Sequence, residues 1–275
     1  MSFLLAPLQY DFMVRAILAS TVVGVLCAVM GTYVVLRGMA FLGDALAHAI
    51  LPGVAIAYLL HGNLVVGALV AAVIIALSIG LFSKEGAIRE DTAIGILFAA
   101  ALSLGIALIS SIRTYAVDLS HILFGNVLGV SPLDLWLTAG LGLLILATVF
   151  VLYKPFLVIS FDPVLAATMR LPAALLRNLL LVLLALTVVV SLQTVGVGLA
   201  AAMLVTPAAT AYLLTRRLAA MMLVSALLGA ASSVIGLYVS YYLNIVSGSA
   251  IVLTATLFFL LAFLFNSRQG VLRRR

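Results

Sequence analysis

Long apolar runs separated by short polar or charged segments form the dominant pattern of this chain. Each run holds roughly 20 residues, the length that a helix needs to cross a bilayer. The predicted spans cover residues 15–36, 37–60, 64–82, 92–110, 132–153, 178–194, 198–214, 218–243 and 251–265. The pattern therefore predicts an all-α fold, a polytopic transmembrane helical bundle of eight or nine spans in one domain, residues 1–275.

The basic connections predict how this bundle is oriented. Lysine and arginine cluster in residues 83–91, 154–177 and 215–217 and in the tail after residue 265. Cytoplasmic loops carry such an excess of positive charge, and nine alternating spans place all four clusters on one side. We therefore expect the amino terminus outside the cell. Residues 111–131 are too apolar for an ordinary loop, and they predict a re-entrant or interfacial helix broken at Gly125 and Asn126.

Composition agrees with the pattern and excludes several classes of protein. Hydrophobic residues make up 66% of the 275 positions and charged residues 8%, a balance typical of an integral membrane protein. The net charge of +6 lies in the loop clusters, so it does not indicate nucleic-acid binding. Because Cys27 is the sole cysteine of the sequence, neither a disulfide framework nor a thiolate metal cluster is available.

The second predicted span carries two ionisable residues, Asp44 and His48. An ionisable side chain inside a span costs about 2.5–3.5 kcal/mol on insertion scales and is therefore a candidate functional site. A helix places residues four apart on one face, from which a carboxylate oxygen and an imidazole nitrogen can reach one cation. A polar pair bonded across a helix interface, or an ion pair of Asp44 with Arg37, explains the same pattern.

Sequence signatures of enzymes are missing. The chain contains no G-x-x-x-x-G-K-[ST] loop for the phosphates of ATP, and no H-E-x-x-H or G-x-S-x-G motif. An enzyme of the bilayer would need a catalytic constellation that the sequence does not contain. We therefore expect the chain to be no enzyme.

Five motifs, in order along the chain, resemble a known family. They are GTYVVLRGMAFLGDALAHAILPG, DTAIGILFAAALSLGIAL, LFGNVLGVS, FDPVLAA and SLQTVGVGLAAAMLVTPAATA. Together they resemble the membrane permease subunit of bacterial ATP-binding-cassette (ABC) importers for manganese, zinc or iron. The resemblance covers nearly the whole chain. Arg170 departs from it, because the family pattern leads us to expect glycine there.

This resemblance implies a transport subunit of the bacterial cytoplasmic (inner) membrane that moves a divalent metal into the cell. Manganese is favoured, then zinc or iron. The implied partners are a second permease copy, identical or different, separate ATPase subunits that bind ATP, an extracytoplasmic metal-binding protein and the lipid membrane. A secondary metal transporter or channel that is independent of ATP is the alternative.

The resemblance also matches Asp44 and His48 to positions expected to bind or gate the metal. A second candidate pair, Asp118 and His121, lies on the predicted outer side, where a metal would enter. Three-residue spacing brings these two side chains to one helical face, and a solvated surface pair is the alternative. Oxygen and nitrogen ligands without thiolate suit manganese or iron and are compatible with zinc.

Residues 154–177 match the cytoplasmic segment that couples the family's permeases to their ATPases. Within it, Phe161 precedes Asp162 and Pro163. Aspartate suits the N-cap of a helix, and proline suits its first position. We therefore expect a short helix to start here, and an ordinary capped loop helix is the alternative to a coupling role.

Overall fold

The computed structural model describes residues 6–83, 88–111, 127–161 and 163–265. The helices in these ranges are α1 Asp11–Leu36, α2 Leu42–Ala49, α3 Leu51–Leu59, α4 Leu64–Phe82, α5 Glu90–Ser110, α6 Pro132–Val151, α7 Tyr153–Phe161, α8 Pro163–Thr168, α9 Ala173–Val195, α10 Val197–Leu214, α11 Leu218–Leu243 and α12 Ser247–Phe265. Short 3-10 turns occur at Pro7–Gln9 and Val127–Gly129.

The prediction of a polytopic helical bundle is confirmed. Within the described ranges, nine spans are long and apolar enough to cross a membrane, and α2 and α3 together form the second of them. The first span begins at Asp11 rather than at residue 15. A carboxylate in the first turn of a helix stabilises the positive end of its dipole, so Asp11 is a favourable first residue of this helix. The predicted break at Gly125 and Asn126 lies outside the described residues.

Helix α1 lies at the centre of the bundle and packs against α6, α9, α10 and α11. Because lipid tails are as apolar as leucine, helices in a membrane associate through small residues and hydrogen bonds between them. Gly24 of α1 meets Gly229 of α11 so closely that a Cβ atom on either would overlap the carbonyl of the other. The Ser225 hydroxyl of α11 also donates a hydrogen bond to the Ala28 carbonyl at 2.7 Å. These close contacts help to hold α1 and α11 together.

The helix ends predicted to face the cytoplasm lie together. Arg37 follows the end of α1, and its Nη2 lies 2.6 Å from Oε1 of Glu90 at the start of α5. Arg177, in the second turn of α9, donates to the Gly80 carbonyl near the end of α4 at 2.7 Å. One face of the bundle thus joins the four ends, in agreement with the alternation that the basic loops predict.

The second span is broken directly after its polar pair. Helix α2 ends at Ala49, and α3 starts at Leu51 with Pro52 in its first turn. Proline lacks an N–H donor, and its ring clashes with the carbonyl four residues earlier, which here is that of His48. That carbonyl instead accepts a hydrogen bond from the N–H of Ile50. The break therefore places His48 in the last turn of a short, separate helix.

Candidate metal site

Helix α2 is enclosed by its neighbours except along one face. It packs against α4, α5, α9 and α10. Six of its eight residues are buried: Leu42, Gly43, Ala45, Leu46, Ala47 and Ala49. Asp44 and His48 differ, because 47% and 33% of their side chains are exposed. Since an ionisable face is costly to place against hydrocarbon, this face is expected to meet water or another protein surface.

The two polar side chains lie close enough to share a cation. His48 Nε2 is 3.7 Å from Asp44 Oδ1, which is longer than a hydrogen bond. Metal–ligand bonds of about 2.0–2.2 Å separate two adjacent ligand atoms by about 3–3.6 Å. A small rotation of either side chain therefore brings oxygen and nitrogen to the spacing that one bound metal requires.

Arg37 does not pair with Asp44, so this alternative to a metal site is wrong. The Arg37 guanidinium is occupied by Glu90 at 2.6 Å. Among the described residues, the ion-pair contact of Asp44 is with His48. The carboxylate of Asp44 is thus left facing the open side of α2.

An aromatic pair lies beside the polar pair and was missed from the sequence. The Phe98 ring of α5 lies 6.2 Å from the His48 ring, measured between centroids. It also contacts Phe41 edge-on at 5.4 Å. Phe98 had no signal beyond its place in an apolar motif, because a phenylalanine in a membrane span is ordinary. These rings form an apolar wall beside His48 toward the predicted cytoplasmic end of α2.

The described residues of one copy supply an incomplete ligand set. In the described ranges, no group of three or more histidine, cysteine, aspartate or glutamate side chains could hold a metal ion. Divalent transition metals take about four to six ligands. The other candidates, Asp118 and His121, lie outside the described residues. Asp44 and His48 would therefore need further ligands from another source.

The segment predicted to couple the chain to a partner forms two helices, α7 and α8. Phe156 of α7 is fully buried and contacts the Tyr33 ring of α1 at 5.8 Å between centroids. Helix α8 begins at Pro163, where a helix start was predicted, while Asp162 lies outside the described residues. Phe161, at the end of α7, exposes 63% of its surface. Helix α7 is thus anchored to α1 on one side and presents an aromatic ring on another.

Arg170, two residues after the end of α8, adopts a conformation that explains why glycine is expected there. Its φ angle is 55°, in the left-handed region. The N–H of Leu171 donates to the Ala166 carbonyl at 3.0 Å, which closes a Schellman-type helix end around Arg170. A side chain in this region costs roughly 1–2 kcal/mol relative to glycine. The turn is therefore formed despite the departure from the family pattern.

Comparison with known proteins places this arrangement among metal transport permeases. Residues 9–266 match the model of the ABC 3 transport family. The manganese transport system membrane protein MntC of Halalkalibacterium halodurans is 49% identical over 97% of this chain and 91% of its own length. A probable iron transport system membrane protein of Haemophilus influenzae is 41% identical, over 98% of this chain and 96% of its own.

A solved structure is also similar. PsaBC from Streptococcus pneumoniae, solved in complex with a Fab, superposes with a TM-score of 0.85 at 41% identity. The match covers 99% of this chain and 98% of that one. Since the whole length is shared, the bundle described above is a permease fold from end to end.

Proposed function

The chain belongs to the ABC 3 transport family, and we propose that it imports manganese, in preference to iron or zinc, as the permease subunit of an ABC importer. It is a multi-pass protein of the bacterial cytoplasmic membrane. The observation that carries the proposal is the face of α2, on which Asp44 and His48 stay open while the rest of the helix is buried. A polar face of this kind inside a membrane bundle is suited to passing an ion.

The chemistry of the two side chains supports manganese or iron as cargo. Carboxylate oxygen and imidazole nitrogen suit these ions, whereas thiolates favour softer metals. Cys27 is fully buried, with its Sγ 3.1 Å from the Ser191 hydroxyl, so it adds no sulfur ligand at the open face of α2. The relatives named for manganese and for iron agree with this choice.

We infer that a second permease copy completes the metal site. If two copies, identical or different, face each other through α2, each contributes one carboxylate and one imidazole. Four ligands then surround one ion, which meets the lower end of what a divalent transition metal needs. The partial exposure of the Asp44 and His48 side chains, 47% and 33%, supports this arrangement. An extracytoplasmic metal-binding protein would deliver the ion from the predicted outer face.

ATP hydrolysis is assigned to separate ATPase subunits. The sequence has no loop that could hold the phosphates of ATP. We propose residues 154–177 as the segment that contacts the ATPase, centred on Phe161, Asp162 and Pro163. Support comes from α7, which is anchored to α1 by Phe156 and exposes Phe161 at its end. A displacement of Phe161 by the ATPase would reach α1, the central helix, through the contact of Phe156 with Tyr33.

A crosslinking experiment tests this contact. With Phe161→Cys, we expect a short bifunctional thiol reagent to join the permease to an ATPase subunit carrying a cysteine on its docking surface. The native Cys27 is buried and does not compete. Phe12→Cys is the matched control, because Phe12 is also exposed but lies at the predicted outer end of α1. Equal crosslinking of both variants, or none at position 161, would place the contact elsewhere.

Uptake by the reconstituted importer tests the proposed function as a whole. Proteoliposomes holding the permease, the ATPase and the metal-binding protein are expected to accumulate Mn²⁺ only when hydrolysable ATP is present. Iron and zinc, added in competition, should reduce uptake less than unlabelled manganese does. Uptake that continues without nucleotide would support the alternative, a secondary transporter or channel.

A further inference from the structure

At the predicted cytoplasmic face, one carboxylate lies between two guanidinium groups. Glu90 Oε1 is 2.6 Å from Arg37 Nη2 and 3.9 Å from Arg177 Nε. The three side chains, here called the arginine–glutamate cluster, are largely buried, with 11% of Arg37 and 19% of each of the others exposed. The cluster joins the end of α1, the start of α5 and the start of α9.

Arg177 connects the cluster to α4 and to the proposed coupling segment. Its Nη2 donates to the Gly80 carbonyl at 2.7 Å, and its Nη1 donates to the Ser83 carbonyl at 3.1 Å. The last carbonyls of a helix lack partners within the helix and favour a positive charge. Arg177 is also the last residue of segment 154–177. Movement of that segment is therefore passed to this guanidinium.

Arg37 connects the arginine–glutamate cluster to helix α2 by a short turn. Gly38 adopts a positive φ of 69°. The N–H of Met39 donates to the Val34 carbonyl at 3.0 Å, and the N–H of Leu42 donates to the Met39 carbonyl at 2.9 Å. Helix α2 begins at this point. Because the turn is short and held by these hydrogen bonds, a displacement of Arg37 is expected to displace α2 with it.

Glu90 offsets one of the two positive charges of the cluster. Burial lowers the pKa of the Arg37 guanidinium, the Glu90 carboxylate opposes that shift, and Arg177 adds to it. Within the described residues, Arg37 Nη1 and Arg177 Nε have no hydrogen-bond partner. Loss of the carboxylate would leave two like charges facing each other where water screens them little. Glu90 thus offsets the repulsion between the two guanidinium groups at the ends of α1 and α9.

We propose that Glu90 is a positioning residue for transport, and that its ion pair with Arg37 transmits movement of the coupling segment to Asp44 and His48. This inference rests on the proposed function. It assigns to the arginine–glutamate cluster the role of linking ATP hydrolysis to the state of the metal site. Coupling between distant sites requires a structural element with two arrangements, and each site must shift the balance between them.

Glu90→Gln in the complete importer tests the proposal, because it keeps the shape of the side chain and removes its charge. We expect the number of metal ions taken up per ATP hydrolysed to fall about tenfold, within the usual range of coupling free energies. Basal ATP hydrolysis should stay as in wild type. The neighbouring Asp91→Asn is the matched control, because Asp91 is an exposed carboxylate on the same helix turn and should leave the ratio unchanged.

Two further variants separate coupling from simple stabilisation. Arg37→Gln should lower the ratio as Glu90→Gln does, and the double variant should be no worse than either, since residues that act as one unit are not additive. The proposal is overturned if these variants lower the thermal midpoint but leave the ratio unchanged, or if none of them assembles. If the wild-type importer takes up no metal with ATP, the proposed function itself fails. A wild-type ratio in Glu90→Gln, beside an active importer, refutes only the coupling role.

Discussion

Replacing Asp44 by asparagine, or His48 by alanine, is expected to abolish metal uptake while the assembled importer is made in normal amounts. Asp44→Asn keeps the size of the side chain and removes its charge, so the loss would identify charge-based binding. Changes in the surroundings of a metal ligand already cost about 10–100-fold in affinity or activity. Loss of a ligand itself should therefore cost at least about 100-fold.

Normal assembly is expected because neither side chain is fully buried. Removing one partner of a buried polar pair leaves the other unsatisfied and costs about 1–3 kcal/mol of folding free energy. A half-exposed pair avoids most of this cost. A scaffolding role predicts the reverse result, a lower amount of assembled protein.

The measurement is Mn²⁺ uptake into proteoliposomes with matched amounts of importer. Two variants serve as controls for the chemical changes, Asp11→Asn and His61→Asn. Both residues are exposed, and asparagine tolerates the φ angle of 51° found at His61. Wild-type uptake in both the Asp44 and His48 variants would show that the pair is structural. The metal path would then have to be sought at Asp118 and His121.

Gly31→Ala is expected to reduce sharply the amount of folded protein. Gly31 of α1 lies against α10, and a Cβ atom there would overlap the Leu204 carbonyl. Backbone cannot move aside as a flexible side chain does, so the two helices must separate. Overpacking of this kind costs typically 1–3 kcal/mol, and about that or more is expected here. The thermal midpoint of the purified protein in detergent measures the loss.

Glycines elsewhere provide a matched control for that change. Gly95 of α5 and Gly140 of α6 have no atom within 4 Å of where a Cβ would lie. Alanine at either position should leave the midpoint unchanged or raise it, because glycine is about 0.8–1 kcal/mol less favourable than alanine in a helix. A wild-type midpoint for Gly31→Ala would show that close contact of α1 and α10 is not required.

The spans could be predicted because bilayer thickness sets the length of a transmembrane helix. How these helices pack against one another could not be predicted. The contact of Arg37 with Glu90 joins residues 53 positions apart, and its existence depends on which helices become neighbours. For the same reason the sequence could not show whether Arg37 pairs with Asp44 or, as the structure has it, with Glu90. Pro52 was visible in the sequence, but only the structure shows that it divides the span into α2 and α3.

The candidate site was recognisable in part. A carboxylate and an imidazole four residues apart in a membrane span are unusual, so Asp44 and His48 could be named as candidates from residue type and spacing, and their role stays a prediction. The apolar wall formed by Phe98 could not, because phenylalanine is common in such spans. Arg170 gave a misleading signal. Its backbone adopts the left-handed conformation that glycine favours. The hydrogen bond from the Leu171 N–H to the Ala166 carbonyl offsets the cost of an arginine there.

We propose that the ion pair of Arg37 with Glu90, which leaves Asp44 without an arginine partner, sets how the cargo is selected by valence. In the proposed pair of permeases, two copies of Asp44 face each other with no arginine or lysine counter-ion from the described residues. A divalent cation neutralises both carboxylates, whereas a monovalent ion leaves one negative charge in a medium of low dielectric constant. In this proposal the imported ion serves as the counter-ion of the two Asp44 carboxylates. When the metal ion leaves, the two Asp44 carboxylates repel each other, and this repulsion favours the binding of the next cation.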